Sequence, residues 1–219
     1  LKNAAQIKDE ILRLEPFLQQ LRELAEERGE PYEVVVERAE KALTRMVADW
    51  KLGYIEVLNY LLTFVFSRIY GGIELQGMDG VREASRRAPL VILPSHKSHI
   101  DYLLMSYLFY GEGLVPPHIA AGDNLNFWPL GHIFKRCGAF FIRRSFREDP
   151  VYAATFSTYA RKLVKSGYSV EFFIEGGRSR TGKLLRPKYG LLTEMVDALL
   201  EGHVEDLSMT PVAIGYEKI

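Results

Sequence analysis

From residue 72 onward, short apolar runs alternate with stretches of helical period, and this alternation most narrows the folds open to the chain. The runs at 72–76, 89–94, 117–121, 139–143, 169–174 and 209–215 have the length of strands. Between them, 79–87, 98–110, 129–137, 149–166 and 188–201 place apolar residues at helical spacing. Such a sequence builds an α/β fold: a mostly parallel, mixed sheet flanked by helices. In these sheets chemistry gathers at the carboxyl ends of the strands.

Residues 1–50 follow a different rule. Ile7, Ile11, Leu14, Leu18, Leu21 and Ala25 step by four and three in turn, a helical seam. Val36, Ala39, Leu43, Met46 and Trp50 resume it after Gly29-Glu30-Pro31. The expectation is an N-terminal helical hairpin over 1–50, kinked at Pro16, ahead of an α/β domain over 51–219. Residues 51–70, KLGYIEVLNYLLTFVFSRIY, form a further helix whose apolar residues cover more than one face. Burial inside the domain is the expected fate of that helix. Its uncharged run from Val57 to Ser67 has 11 residues, short of the roughly 18 that a span requires. No membrane-spanning helix is predicted.

Charge and cysteine content exclude some classes. The 28 basic residues balance 28 acidic ones, so bulk charge offers no attraction to nucleic acid, and an anion site must be built locally. The single cysteine, Cys137, excludes a disulfide framework and a cysteine-rich zinc site. The start is charged and helical, with no signal-peptide pattern. The chain begins at Leu1 and stops just beyond a strand-like run, so a piece of a longer protein is expected.

The stretch SHKSHIDY, 95–102, follows the apolar run LVILP and holds two of the 5 histidines. Ser98-x-x-Asp101 has the form of a capping box that would start a helix at Ser98, with Asp101 as an acid in its first turn. A chemical reading is compatible with this. With His96 in the turn before the helix, its imidazole can fold back onto the Asp101 carboxylate, which fixes the tautomer and leaves the other nitrogen as a base. A metal site would need more ligands than His96 and His99 supply, and no metal is expected.

A second concentration of signal is YSVEFFIEGGRSRTGKLLRPK, 168–188. After the strand-like SVEFFI, Arg178, Arg180, Lys183, Arg186 and Lys188 occur with no acid among them. Arginine forks and consecutive glycines suit phosphate. Gly177-x4-Gly182-Lys183 also matches the start of a P-loop, but Leu184 stands where Ser or Thr must hold magnesium, and Pro187 interrupts the required helix. A third basic site is GAFFIRRSFR, 138–147, a strand ending in Arg143 and Arg144. One strand end bearing His-Asp and two bearing arginines describe a base that meets a phosphorylated substrate.

These residues together resemble a known family. HKSHID resembles the H-x4-D block of the glycerolipid acyltransferases, and GAFFIRR, FIEGGRSR and MTPVAIGYE resemble its three following blocks in order and spacing. VPPHIAAGDNLNFWPLG, 115–131, is most similar to the glycerol-3-phosphate acyltransferase branch, of the large bacterial membrane-bound type. Dihydroxyacetone-phosphate acyltransferases are a close alternative.

The resemblance implies acyl transfer from acyl-CoA or an acyl carrier protein thioester to glycerol 3-phosphate, the first step of phospholipid synthesis. It would proceed without a cofactor, at the cytoplasmic face of a bacterial inner membrane. It implies catalytic roles for His96, Asp101 and Glu175. Substrate binding would fall to Arg143, Arg144, Gly176, Gly177, Arg178, Ser179, Arg180, Lys183 and Pro211. The oxyanion donor is not identifiable from the sequence; backbone amides near the helix start at Ser98 are candidates. Tyr54, Phe64, Phe66 and Trp128 are the expected contacts to a lipid surface. Two other classes compete: a thioesterase with Cys137 as nucleophile, and a lipid-binding module whose arginines hold anionic headgroups.

Overall fold

The computed structural model describes residues 2–98, 100–143, 145, 146 and 148–216. Helices α1 (Ala4–Leu12), α2 (Glu15–Arg28) and α3 (Tyr32–Met46) open the chain. The N-terminal helices are thus present, but the first arm is in two pieces. Pro16 falls in the first turn of α2, where its missing N–H leaves no broken bond. Asn3 and Gln6 cap α1 reciprocally, and α2 ends on Gly29 at φ 64, a conformation that favours glycine. The break at Leu14 resets the helical phase, so Phe17 is buried where the seam predicts Leu14 and Leu18. On α3, Val35 rather than Val36 joins Ala39, Leu43 and Met46 inside, and Trp50 lies beyond the helix.

The alternation that follows is α4 (Leu52–Ile69), α5 (Met78–Arg87), β1 (Leu90–Pro94), α6 (Asp101–Gly111), β2 (His118–Gly122), α7 (Leu130–Arg136), β3 (Ala139–Ile142), α8 (Pro150–Lys165), β4 (Val170–Glu171), α9 (Gly190–Leu200) and β5 (Ser208–Val212). The α/β class holds. The strand expected at 72–76 is absent: this is a connection between α4 and α5, with Ile73 and Leu75 exposed and glycines at 71, 72 and 77 around it.

The strands hydrogen-bond in the order β3-β2-β4-β1-β5, and the pairs β1–β4, β1–β5 and β2–β4 are all parallel. Leu90, Val91 and Ile92 of β1 are wholly buried, as a parallel strand covered on both faces requires. Pro211 is tolerated because β5 is an edge strand, which needs no donor on its outer side.

Residues cluster into two compact units, Leu1–Lys51 with Ala120–Leu163 and Leu52–Ile119 with Val164–Ile219. In the first, the α1–α3 stripe is accompanied by Phe140 edge-on to Tyr159 at 5.5 Å, and the Tyr159 hydroxyl accepts the Ala48 N–H at 3.2 Å. In the second, Leu90 and Ile92 of β1 pack against Met105 and Phe109 of α6.

Helix α4 departs from expectation. Only Ile55, Leu62 and Phe66 are buried, while Val57, Tyr60, Leu61 and Phe64 are each more than half exposed. One face meets α6, where Phe66 packs edge-on to Tyr107 at 5.0 Å, and the exposed apolar residues lie elsewhere on the helix. With 18 residues, α4 is long and apolar enough to cross a membrane by length and composition alone. Two substitutions separate the two kinds of apolar position. Leu43→Ala should destabilise the chain by about 2–5 kcal/mol, whereas Tyr60→Ala should change stability by less than about 0.5 kcal/mol, both measured by urea unfolding.

Candidate active site

Three neighbouring parallel strands of the second unit, β4, β1 and β5, end on the same side, and each delivers part of one polar cluster. Strand β1 exits into Ser95-His96-Lys97-Ser98. Its exit is tied to that of β5: Ser95 N–H donates to the Val212 carbonyl at 2.8 Å, Ile214 N–H to Ser95 Oγ at 3.0 Å, and Lys97 Nζ to the Ile214 carbonyl at 2.8 Å.

Helix α6 begins at Asp101, not at Ser98 as the capping-box reading predicts. Only the carboxylate half of that box forms. Asp101 Oδ2 accepts the N–H groups of Lys97 and Ser98, each at 2.7 Å, and lies 3.2 Å from His96 Nδ1. Asp101 Oδ1 accepts the hydroxyl of Tyr216. Because an ionised carboxylate only accepts, this contact assigns the proton to Nδ1 and leaves Nε2 with a lone pair. Burial pushes the Asp101 carboxyl up, but the bonds from His96, Ser98, Tyr216 and Lys97 outweigh it and hold it below the usual carboxylate range. The amides of Lys97 and Ser98 are therefore committed to Asp101.

The imidazole of His96 is 3% exposed and walled by aromatic rings. Phe173 lies against it at 4.0 Å between centroids, and Tyr102 meets it edge-on at 4.9 Å. Its backbone is clamped on both sides. Glu175 Oε1 accepts the His96 N–H at 3.1 Å, and Ser179 N–H donates to the His96 carbonyl at 2.8 Å. The other oxygen of Glu175 accepts Leu185 N–H at 2.8 Å, and Ser179 Oγ donates to the Lys183 carbonyl at 2.6 Å. The Glu175 side chain and the Ser179 backbone thus fasten the 176–188 loop to the histidine, and the Ser179 hydroxyl ties the loop to itself. Gly176 sits at φ 60, a left-handed conformation that favours glycine, and a Cβ there would meet the Lys188 stem at 2.6 Å.

Arg178, Arg180, Lys183, Arg186 and Lys188 are exposed, and none forms an ion pair among the described residues. Their positive charge is uncompensated, on a loop anchored to His96. Gly177 is open on the Cβ side, and no helix follows Lys183 until α9, unlike a P-loop. Pro211 is exposed on β5 opposite Leu93; its strand carries the segment that reaches Asp101.

Arg143 belongs to the first unit. It pairs with Asp149 at 2.9 Å and lies over the Tyr152 ring at 4.4 Å, so its charge is already engaged. Arg144 and His99 lie outside the described residues. Burial pushes the Cys137 thiol up to about 11, far from a reactive thiolate.

Tyr102, Phe173, Glu171 and Tyr216 were not singled out by sequence reasoning. Tyr102 adjoins Asp101, a signal that could have found it; Phe173 reads as strand filler, and Tyr216 lies in the MTPVAIGYE block, the signal that could have found it. Glu171 on β4 is wholly buried, and neither carboxylate oxygen has a hydrogen-bond partner among the described residues. Burial, helped by the charge of Asp101, pushes its carboxyl well above the ordinary range.

Residues 72–215 match the family model described as Acyltransferase, and the chain belongs to that family. It is 44% identical, over its whole length, to 27% of the glycerol-3-phosphate acyltransferase of Actinobacillus succinogenes. It is 43% identical to that of Haemophilus ducreyi over 96% of this chain and 26% of the relative. It is 46% identical to that of Pseudoalteromonas atlantica over 83% and 23%. The chain thus spans about a quarter of the length of the curated relatives it matches. A solved 1-acyl-sn-glycerophosphate acyltransferase, PlsC, from Thermotoga maritima aligns with 73% of this chain and 81% of its own at 17% identity, with a TM-score of 0.35.

The two buried carboxyls should act oppositely on stability. Asp101, with its lowered value, contributes stability that is present above the ordinary aspartate range and lost as pH falls through the folded-state value. Glu171, with its raised value, destabilises the fold as pH rises above the ordinary 4.5, where only the unfolded chain ionises. Glu171→Gln should therefore gain stability over the parent between pH 4.5 and neutrality, by up to about 1.4 kcal/mol per pH unit. Asp101→Asn should flatten the acid limb. Urea midpoints from pH 3 to 8 read both.

Proposed function

We propose that this chain transfers a fatty acyl group from a thioester of coenzyme A or acyl carrier protein to the 1-hydroxyl of sn-glycerol 3-phosphate, giving lysophosphatidic acid. The observation that carries this reading is the His96–Asp101 pair joined, through Glu175 and Ser179, to a loop of uncompensated basic residues. In this reading Nε2 of His96 takes the hydroxyl proton as that oxygen bonds to the thioester carbonyl carbon. The C–S bond then breaks, and the imidazolium returns the proton to the leaving thiolate. Asp101 holds the Nδ1–H tautomer and stabilises the imidazolium. Arg178, Arg180 and Lys183 bind the phosphate, a positioning role that supplies entropy already lost before the reaction. The names of the relatives agree with glycerol 3-phosphate as the acyl acceptor.

The acyl chain enters from a lipid surface. The exposed Val57, Tyr60, Leu61 and Phe64 of α4 offer the apolar contact, and Trp128, 86% exposed beside Phe127, offers another. Phe66, expected among these contacts, is buried and plays no part. The reading places the protein on the cytoplasmic face of a bacterial inner membrane. Tyr60→Glu with Phe64→Glu should abolish co-sedimentation with phospholipid vesicles while leaving the circular dichroism spectrum unchanged.

The activity is tested by thiol release from palmitoyl-coenzyme A with and without glycerol 3-phosphate. Release should require glycerol 3-phosphate, fall by about 10²–10⁴-fold in His96→Ala, and persist in Cys137→Ser. Release independent of glycerol 3-phosphate would overturn the transferase reading in favour of hydrolysis.

A further inference from the structure

We infer that Tyr216 is a positioning residue for the His96–Asp101 pair, its hydroxyl holding the carboxylate oxygen that the histidine does not use. Asp101 is wholly buried. Oδ2 collects its donors from the turn that precedes α6: His96 Nδ1 and the amides of Lys97 and Ser98. Oδ1 has Tyr216. Without that donor a buried carboxylate oxygen is left unsatisfied, and the carboxylate that faces His96 keeps charge the phenol would otherwise share.

The phenol reaches this oxygen because the segment after β5 is pinned. Ile214 is bound twice, through its N–H to Ser95 Oγ and through its carbonyl to Lys97 Nζ, and Tyr216 follows two residues later. The Tyr70 ring lies against that of Tyr216 at 6.2 Å. Ionisation of the phenol is opposed first by burial and then by the Asp101 carboxylate, so it remains a donor at neutral pH.

Removing the phenol leaves more negative charge on the carboxylate facing the imidazole, which favours the imidazolium. The other titratable or polar groups around the pair are Tyr102 on α6, Glu171 on β4, Glu175 after β4, Lys97 and Ser98 in the turn, and Tyr70 beyond Tyr216. Of these, Ser98 also contacts the phenol and loses that contact in Tyr216→Phe; none gains or loses a charge, so a shift of the histidine is assigned to the hydroxyl.

The inference takes its kinetic consequence from the acyl-transfer reading but is tested without it. In the chain labelled with ¹⁵N-histidine, the His96 resonances, identified by their loss in His96→Ala, are titrated in parent and Tyr216→Phe. The titration midpoint should rise by about 0.5–1 unit in the variant, and the unfolding midpoint should fall, because a buried oxygen loses its donor. An unchanged titration would overturn the inference, whatever happens to activity. Where the parent releases thiol, kcat should fall about tenfold with KM for both substrates within about twofold, and the acid limb of the pH profile should move up with the titration. A parent chain that does not transfer acyl groups, but whose His96 titration moves in the variant, would sink the functional reading and leave the Tyr216–Asp101–His96 coupling standing.

Discussion

One buried carboxylate organises this site. Asp101 takes three donors from the turn that leaves β1 and one from the segment that leaves β5, and it does so from the first turn of α6. A carboxylate at a helix N-terminus is favoured by the helix field. Here the same charge also determines the turn before the helix, because the amides of Lys97 and Ser98 must point at it. His96 is placed by the geometry of that turn. The histidine and the aspartate are five residues apart, a spacing that would turn them away from each other within one helix. They meet because the helix starts at Asp101 and not at Ser98.

The sheet makes this convergence possible. Parallel strands present all their carboxyl ends on one side, so β4, β1 and β5, adjacent in the sheet, release their loops together. From β4 comes Glu175, which grips the His96 N–H, and from β5 comes Tyr216. Residues 79 and 115 positions away from the histidine and aspartate they serve are brought there by topology alone. The basic loop is connected to the same point through Ser179, so a phosphate held by Arg178 or Arg180 would be fixed with respect to the imidazole by backbone bonds, not by flexible side chains alone.

The amino-acid sequence made much of this legible, for identifiable reasons. The strands and helices were readable because their burial differs: β1, covered on both faces, is a continuous apolar run, and the helices keep a 3.6-residue period. His96 and Asp101 stood out by scarcity and by position after a strand. The strand at 72–76 misled because alternation over five residues carries no information on whether a partner strand exists. Helix α4 misled for a related reason: apolar residues on several faces mean burial in protein only if protein is there to cover them, and most of its outer face is exposed. Tyr216 was within a block the resemblance marked, but its contact with Asp101 could not be read. Its role depends on the register of β5 and on two bonds to Ile214, which are tertiary facts with no local pattern.

Glu171 and Asp101 are both carboxyls buried beside the same helix start, yet their environments drive them apart. Asp101 has four donors and stays ionised below the usual range; Glu171 has none among the described residues and is pushed well above it. Each effect supports the other, because the charge on Asp101 makes ionisation of Glu171 still less favourable. With Glu171 holding its proton, the imidazole faces a single charge, and that charge is tempered by the phenol of Tyr216. The donors are distributed so that one carboxylate acts on the histidine and the other is kept neutral, and this division follows from which of the two lies within reach of backbone amides.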